Sequence, residues 1–236
     1  MTLFLTILVN GCVFGSVYAL ISMGLTTQYG VARILNIAHG EFIILAAFLT
    51  WELTTRFGLH PLIALIVAGP VVFAISFLLH RTLYKRVRDV SPGIGAFEGN
   101  AILVAFGIYF IVQNLMRLQW GSQINTYNFM TFPVRIGPVD FQARSLFILF
   151  WAVAICVLYN LFLSRTRTGK AIRAAAQDPF AARMLGVKIN RTMALCFGIG
   201  GMLAAFAGVL ISMNQSFNSA GGMSYTVIAI IVVVLG

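Results

Sequence analysis

Residues 1–32 contain no charged side chain, and neither do 57–80, 99–116, 145–164 or 192–236. Runs of this kind leave a backbone few options. Where water cannot reach, every N–H and C=O must be paired within the segment, and a helix of about 20 apolar residues does this while crossing a bilayer. The last run is interrupted by polar, glycine-rich residues at 214–224, so it reads as two spans. A further apolar segment, with Glu41 as its one acid, lies between Arg33 and Glu52. The pattern predicts an all-α polytopic membrane protein with seven spans, about 4–29, 38–53, 61–82, 100–117, 143–163, 192–213 and 224–236. Together they form one transmembrane domain over 1–236. An outer-membrane barrel would alternate apolar and polar residues instead.

Composition supports the reading: 9% of residues are charged, against roughly 25% in soluble domains. A net charge of +10 would suggest nucleic acid in a soluble protein. Here the charge is a topology signal. Alternating the loops puts Arg33, Arg81, Lys85, Arg86, Arg88 and the seven basic residues of 165–191 on one side, twelve in all. Arg56, Arg117, Arg135 and Arg144 fall on the other. The positive-inside rule makes the first side cytoplasmic and places the N-terminus outside. No basic residue precedes the first apolar run, which is also too long for a signal peptide, so it is expected to stay as a span. The final apolar run reaches Gly236 without a polar cap, and the chain is expected to continue beyond it. Cys12, Cys156 and Cys196 all lie in apolar runs, which suggests neither a disulfide nor a metal site.

The loop 164–191 is basic and amphipathic, with Asp178 as its one acid. Asp178 followed by Pro179 is a helix start, because the carboxylate accepts orphan N–H groups and proline needs none at the first helical position. Gly186 is a natural stop. A helix of about two turns, 179–185, is therefore expected between two spans on the basic side. It carries Phe180, Met184 and Leu185 on an apolar face, with Ala181 and the basic Arg183 beside them. Such a helix at a membrane surface is suited to being held by a soluble partner.

Small residues predict where helices approach: Gly11 and Gly15 in the first span, and Gly200, Gly201, Ala204, Ala205 and Gly208 in the sixth. Polar groups at bilayer depth are Asn10, Gln28, Asn36, His39, Glu41, Gln113, Asn114 and Asn160. Asn36, His39 and Glu41 are the candidates for function, since an ionisable group in a span has a role by default. If a helix starts near His39, Glu41 falls in its first turn, where the dipole favours an anion. Two residues at this spacing make no metal ligand set. Thr168-Gly169-Lys170-Ala171 is not a phosphate-binding loop, because Ser164 and Ala171 stand where glycine and Ser or Thr are needed. No nucleophile–base arrangement is present either.

Residues 10–42, NGCVFGSVYALISMGLTTQYGVARILNIAHGEF, closely resemble the opening of permease subunits of branched-chain amino acid ABC importers. Residues 166–210, TRTGKAIRAAAQDPFAARMLGVKINRTMALCFGIGGMLAAFAGVL, resemble the cytoplasmic loop and following span of the same family. The resemblance implies a multi-pass subunit of the bacterial cytoplasmic (inner) membrane that moves Leu, Ile or Val inward. Its implied partners are a second homologous permease or another copy of itself, two cytoplasmic ATPase subunits and an extracytoplasmic substrate-binding protein. Membrane lipid surrounds it, and no nucleic acid is involved. ATP and Mg would bind the ATPase subunits, and this chain would hold no cofactor. Residues 174–186 match the region of the family's coupling helix, although Ala174-Ala175-Ala176 lacks the glutamate of the general importer loop motif. The same permease type also serves urea and short-amide importers, which are the alternative to branched-chain amino acids. An ion-coupled carrier or channel would require interior ionisable pairs beyond His39 and Glu41.

Overall fold

A computed structural model describes residues 2–136 and 139–235. Met1, Gly137, Pro138 and Gly236 lie outside the described residues, and so does the expected continuation of the chain past Gly236. Helix α1 (Thr2–Ala32) is followed by α2 (His39–Phe57) and α3 (Pro61–Leu79). Pro61 sits at the first position of α3, and His60 Nδ1 caps it by accepting the Leu62 N–H at 3.3 Å. A π-turn at His80–Tyr84 carries this helix into α4 (Lys85–Val90) with the backbone helical throughout. Then come α5 (Ile94–Trp120), a short hairpin, α6 (Ala143–Arg165), α7 (Arg167–Gln177), α8 (Pro179–Met184), α9 (Ile189–Asn214) and α10 (Gly222–Leu235).

Seven helices occupy the seven expected segments. Five stretches are long and apolar enough to cross a membrane on that basis alone: Thr6–Ala32, Pro61–Val90, Ile94–Trp120, Ala143–Arg165 and Ile189–Asn214. The other two differ for identifiable reasons. Helix α2 carries Glu41, Glu52 and Arg56, and α10 has only 14 residues. The all-α architecture is borne out, with one short hairpin in a loop. Strands β1 (Pro133–Ile136) and β2 (Val139–Gln142) pair antiparallel, with Val134 opposite Phe141, between α5 and α6. The hairpin lies outside the apolar runs, where a loop can pair its own backbone in this way.

Helix α9 is the centre of the bundle. It packs on α1, α2 and α3, and its residues from Thr192 to Met213 are almost continuously buried. Its small residues explain the close packing. A Cβ at Gly200 would lie 2.6 Å from the Gly24 carbonyl oxygen, one at Gly198 would strike the Phe73 ring, and Gly201 leaves room for Ser76. Gly208 faces the Ile43 carbonyl, and Ala205 is fully buried. Gly11 and Gly15 behave differently, since no atom of the described chain lies within 4 Å of a Cβ built on either. The core side of α1 carries Val13 and Val17, about 200° around the helix from the two glycines. Midway along α2, Phe48 stacks on Trp120 at 5.0 Å and meets Phe217 edge-on at 5.1 Å. The Trp120 indole also donates to Glu52 at 2.9 Å.

Candidate functional site

The chain turns back on itself after α1. His39 Nε2 donates to the Ile21 carbonyl at 3.1 Å, and Ile21 lies eleven residues before the end of α1. At 1.5 Å per residue, that is a return of about 16 Å along the helix just completed. Residues 33–38 make the climb without helical structure. Asn36 donates to the Gln28 side chain at 3.2 Å, and Gln28 in turn donates to the Phe197 carbonyl of α9 at 3.1 Å. Helix α2 thus begins deep inside the bundle, and every residue from His39 to Ile44 is buried.

A second break mirrors the first. After α9, residues 215–221 run back inward, and α10 starts at Gly222, directly against Gly40. On the way, Phe217 exchanges two backbone hydrogen bonds with Asn125, at 2.8 and 3.1 Å. Asn218 turns the chain, its side chain accepting the Ala220 N–H at 3.1 Å and its carbonyl the Gly221 N–H at 3.2 Å. The two breaks share a sequence: Asn36-Ile-Ala38-His-Gly40 and Asn218-Ser-Ala220-Gly-Gly222. The glycine that ends each of them meets the other. A Cβ at Gly40 would collide with the Gly222 carbonyl, and one at Gly222 with the Glu41 carboxylate.

The two helix starts also cap each other. Thr226 Oγ1, from the first turns of α10, accepts the Gly40 N–H at 2.8 Å and donates to the Ile37 carbonyl at 3.0 Å. In return, Glu41 of α2 lies against the first residue of α10. Both Glu41 oxygens are buried without a hydrogen-bond partner. Two helix N-termini face this carboxylate, its own and that of α10, and both favour negative charge.

Asn36 and His39 are therefore directed at α1, whereas Glu41 projects about 200° around α2 from His39, toward α10. They line one joint from opposite sides of α2 and do not form a shared ligand set. Among the described residues, no group of three or more His, Cys, Asp or Glu could hold a metal ion. Sequence reasoning passed over Thr226 and Gly222, and read the interruption at 214–224 only as the boundary between two spans. The repeated Asn-x-Ala-x-Gly was the signal that could have found them. Tyr127 was also missed: its hydroxyl bonds Ser212 of α9 at 3.0 Å, and burial pushes the phenol up to about 12.

At the basic end of the molecule, α7 and α8 form an elbow. Thr166 caps α7 by accepting the Gly169 N–H at 2.9 Å. Asp178 Oδ1 accepts from Phe180 and Ala181 at 2.8 and 3.1 Å, and Pro179 is the first residue of α8. Leu185 closes the helix, and Gly186 comes next at φ 85°, a left-handed conformation that suits glycine. Ala182 faces inward. Phe180, Met184 and Leu185 are 74, 76 and 84% exposed, an apolar patch on an otherwise basic surface.

A family model described as the permease component of the branched-chain amino acid transport system matches residues 7–236. The high-affinity branched-chain amino acid transport system permease protein BraD of Pseudomonas aeruginosa is 31% identical over 91% of this chain and 72% of its own length. LivH of Escherichia coli K12, named for the same transport system, is 31% identical over 88% of this chain and 70% of its own. LivM of Salmonella typhimurium, also named as a permease of that system, is 26% identical over 93% of this chain and 56% of its own. No solved structure matches the chain.

Proposed function

The chain belongs to the family of branched-chain amino acid transport permeases, and from that premise we infer that it is a transmembrane subunit of an ATP-driven importer carrying Leu, Ile or Val across the bacterial inner membrane. The observation that supports this most directly is α8. A helix of six residues is too short to be stable alone in water, yet this one is capped at its start, followed by a left-handed glycine, and presents three large apolar side chains outward. An ATPase groove is the complement of such a surface. Asp178 and Pro179 start the coupling helix; Phe180, Met184 and Leu185 enter the groove; Ala181 and Arg183 flank them; Gly186 ends it.

The remaining assignments rest on this reading. The whole of 1–236 acts as one permease domain, with 164–191 as its cytoplasmic loop and the N-terminus outside. A second permease, of the same or a homologous sequence, completes the passage. Two ATPase subunits hydrolyse ATP with Mg, a binding protein delivers the solute from outside, and this chain has no ATPase site of its own. Closure of the ATPase pair would displace α8, and the bundle would rock between outward-open and inward-open states. Gly11 and Gly15, unoccupied within the chain, are suited to the second permease.

The test is uptake of leucine by the reconstituted complex. Phe180→Asp or Leu185→Asp should abolish uptake while ATP hydrolysis and membrane insertion persist. A photo-reactive group on a cysteine at position 180 should cross-link to an ATPase subunit. Cross-linking to lipid alone, together with parental uptake in Phe180→Asp, would overturn the coupling assignment.

A further inference from the structure

A cavity of about 340 Å³ lies beneath the α7–α8 elbow, between the end of α1, the α4–α5 turn, α7 and α9. Arg33 and Arg88 line it, together with Ser91 and Gly93. No acidic side chain does. Asp178 sits next to the lining residues Gln177 and Pro179, but its carboxylate is committed to the start of α8. Two other acids are nearby, Asp89 beside Arg88 in sequence and Glu98, which shares a neighbouring pocket with Arg33, and neither is part of this wall.

The two arginines lack carboxylate partners. Among the described residues, neither makes an ion pair within 4.0 Å, as Arg56 does with Glu52 elsewhere in the fold. Arg88 is held by neutral groups: it donates to the Ala32 carbonyl at 2.7 Å, touches the Met193 sulfur, and lies 4.5 Å over the Phe97 ring. This fixes the guanidinium without pairing it to a carboxylate, and Asp89, its neighbour in sequence, offsets its charge only at longer range. Arg33 has φ 55°, an uncommon conformation for a residue with a side chain, and its described contact is the Tyr29 ring at 6.0 Å. The start of α5 adds to the positive field. Its N-cap is Gly93, which offers no side-chain acceptor, so the first N–H groups of this 27-residue helix remain available. Opposite the charges, Val31, Ile94, Phe97 and Met193 make an apolar wall.

We propose that this cavity binds a phosphate group carried on an apolar or amphipathic molecule, with Arg33 and Arg88 as the charged clamp. Guanidinium forks pair with phosphate oxygens in a way that fits the fixed Arg88 and the exposed, adaptable Arg33. A helix N-terminus supplies further N–H donors to such an anion. The apolar wall accepts what the phosphate is attached to. Because Gln177 and Pro179 belong to the same wall, an occupant ties the end of α7 and the start of α8 to α1 and α5, and so sets the stiffness of the elbow. The site itself does not depend on which solute the chain carries or on the role given to α8.

The phosphate has two possible sources, an anionic phospholipid headgroup or a soluble phosphate compound, and one experiment separates them. Delipidated full-length protein in neutral detergent is titrated with phosphatidylglycerol, phosphatidylcholine, inorganic phosphate and ATP, and binding is followed by native mass spectrometry. One saturable phosphatidylglycerol, not displaced by phosphate or ATP, assigns the site to lipid. Saturable phosphate or ATP without phosphatidylglycerol assigns it to a soluble source. In either case Arg33→Gln and Arg88→Gln should weaken binding about tenfold or more, the loss expected for one charge-assisted contact. Arg81→Gln, on the same basic side but outside the cavity, should leave binding unchanged. Arg88→Gln also loses the bond to Ala32, so Arg33→Gln decides the matter should Arg88→Gln not fold. Saturable binding of none of the probes, or equal affinity in Arg33→Gln and the parent, overturns the proposal.

Discussion

Thr226 and Gly40 hold two helix starts together: one hydroxyl accepts the Gly40 N–H at 2.8 Å and donates to the Ile37 carbonyl at 3.0 Å. In a soluble protein water could replace that hydroxyl. Here it is fully buried, and its loss leaves a backbone N–H and a C=O with nothing to bond. Thr226→Val keeps the shape and removes both bonds, at a cost of about 1–3 kcal/mol for each group left unsatisfied. We expect a lowered Tm of the purified protein, and Thr226→Ser should restore most of it.

Glycine at the joint is a matter of space. Gly40→Ala would drive a methyl group into the Gly222 carbonyl, and Gly222→Ala would meet the Glu41 carboxylate. Neither backbone can move without opening α2 from α10, so both variants should fail to accumulate as monodisperse protein. Gly15→Ala meets nothing within the chain. Its Tm should stay near the parental value, while its co-purification with a second permease should fall if that face joins the two.

Glu41 lies where two helix N-termini converge. Glu41→Gln preserves volume and should fold. Glu41→Lys sets a positive charge against both dipoles and reverses an interaction of up to about 2 kcal/mol in partly buried settings. Membrane-inserted yield and Tm should rank parent and Glu41→Gln well above Glu41→Lys; equal values for all three would remove the electrostatic account.

The Asp178 cap is worth about 1 kcal/mol. Asp178→Ala should therefore reduce leucine uptake partially, and Asp178→Asn, which retains an accepting oxygen, should reduce it less. Proteolysis of the 164–191 loop provides a second readout, since fraying α8 exposes backbone after Arg183.

What the sequence disclosed and what it concealed divide along a physical line. Asp178, Pro179 and Gly186 act on neighbours two to four residues away, so the α8 boundaries were readable from those residue types. The spans were readable too, because hydropathy is summed locally. The depth at which α2 and α10 start was not. It depends on Gly40 meeting Gly222, and on His39 reaching Ile21 past an extended return whose length hydropathy does not register. The hairpin was missed because Pro133 to Gln142 gave only a short alternation beside a Gly-Pro pair. The packing expectation divided the same way. Gly201 and Gly208 are in contact and Gly11 and Gly15 are not, since a small residue marks room for a neighbour without saying which chain provides it.

The Ile37–Thr226 bond joins residues 189 positions apart, and this bears on how the protein is made. During synthesis α2 leaves the ribosome long before α10. Until then the Gly40 N–H has no acceptor, and Glu41 faces one helix start instead of two. The nascent α2 must therefore wait in the translocon or in a makeshift position, with its first turn unfinished, while seven further helices, α3 to α9, and a hairpin are made. Final seating of the second helix then waits for α10 to emerge, long after its own sequence has been translated.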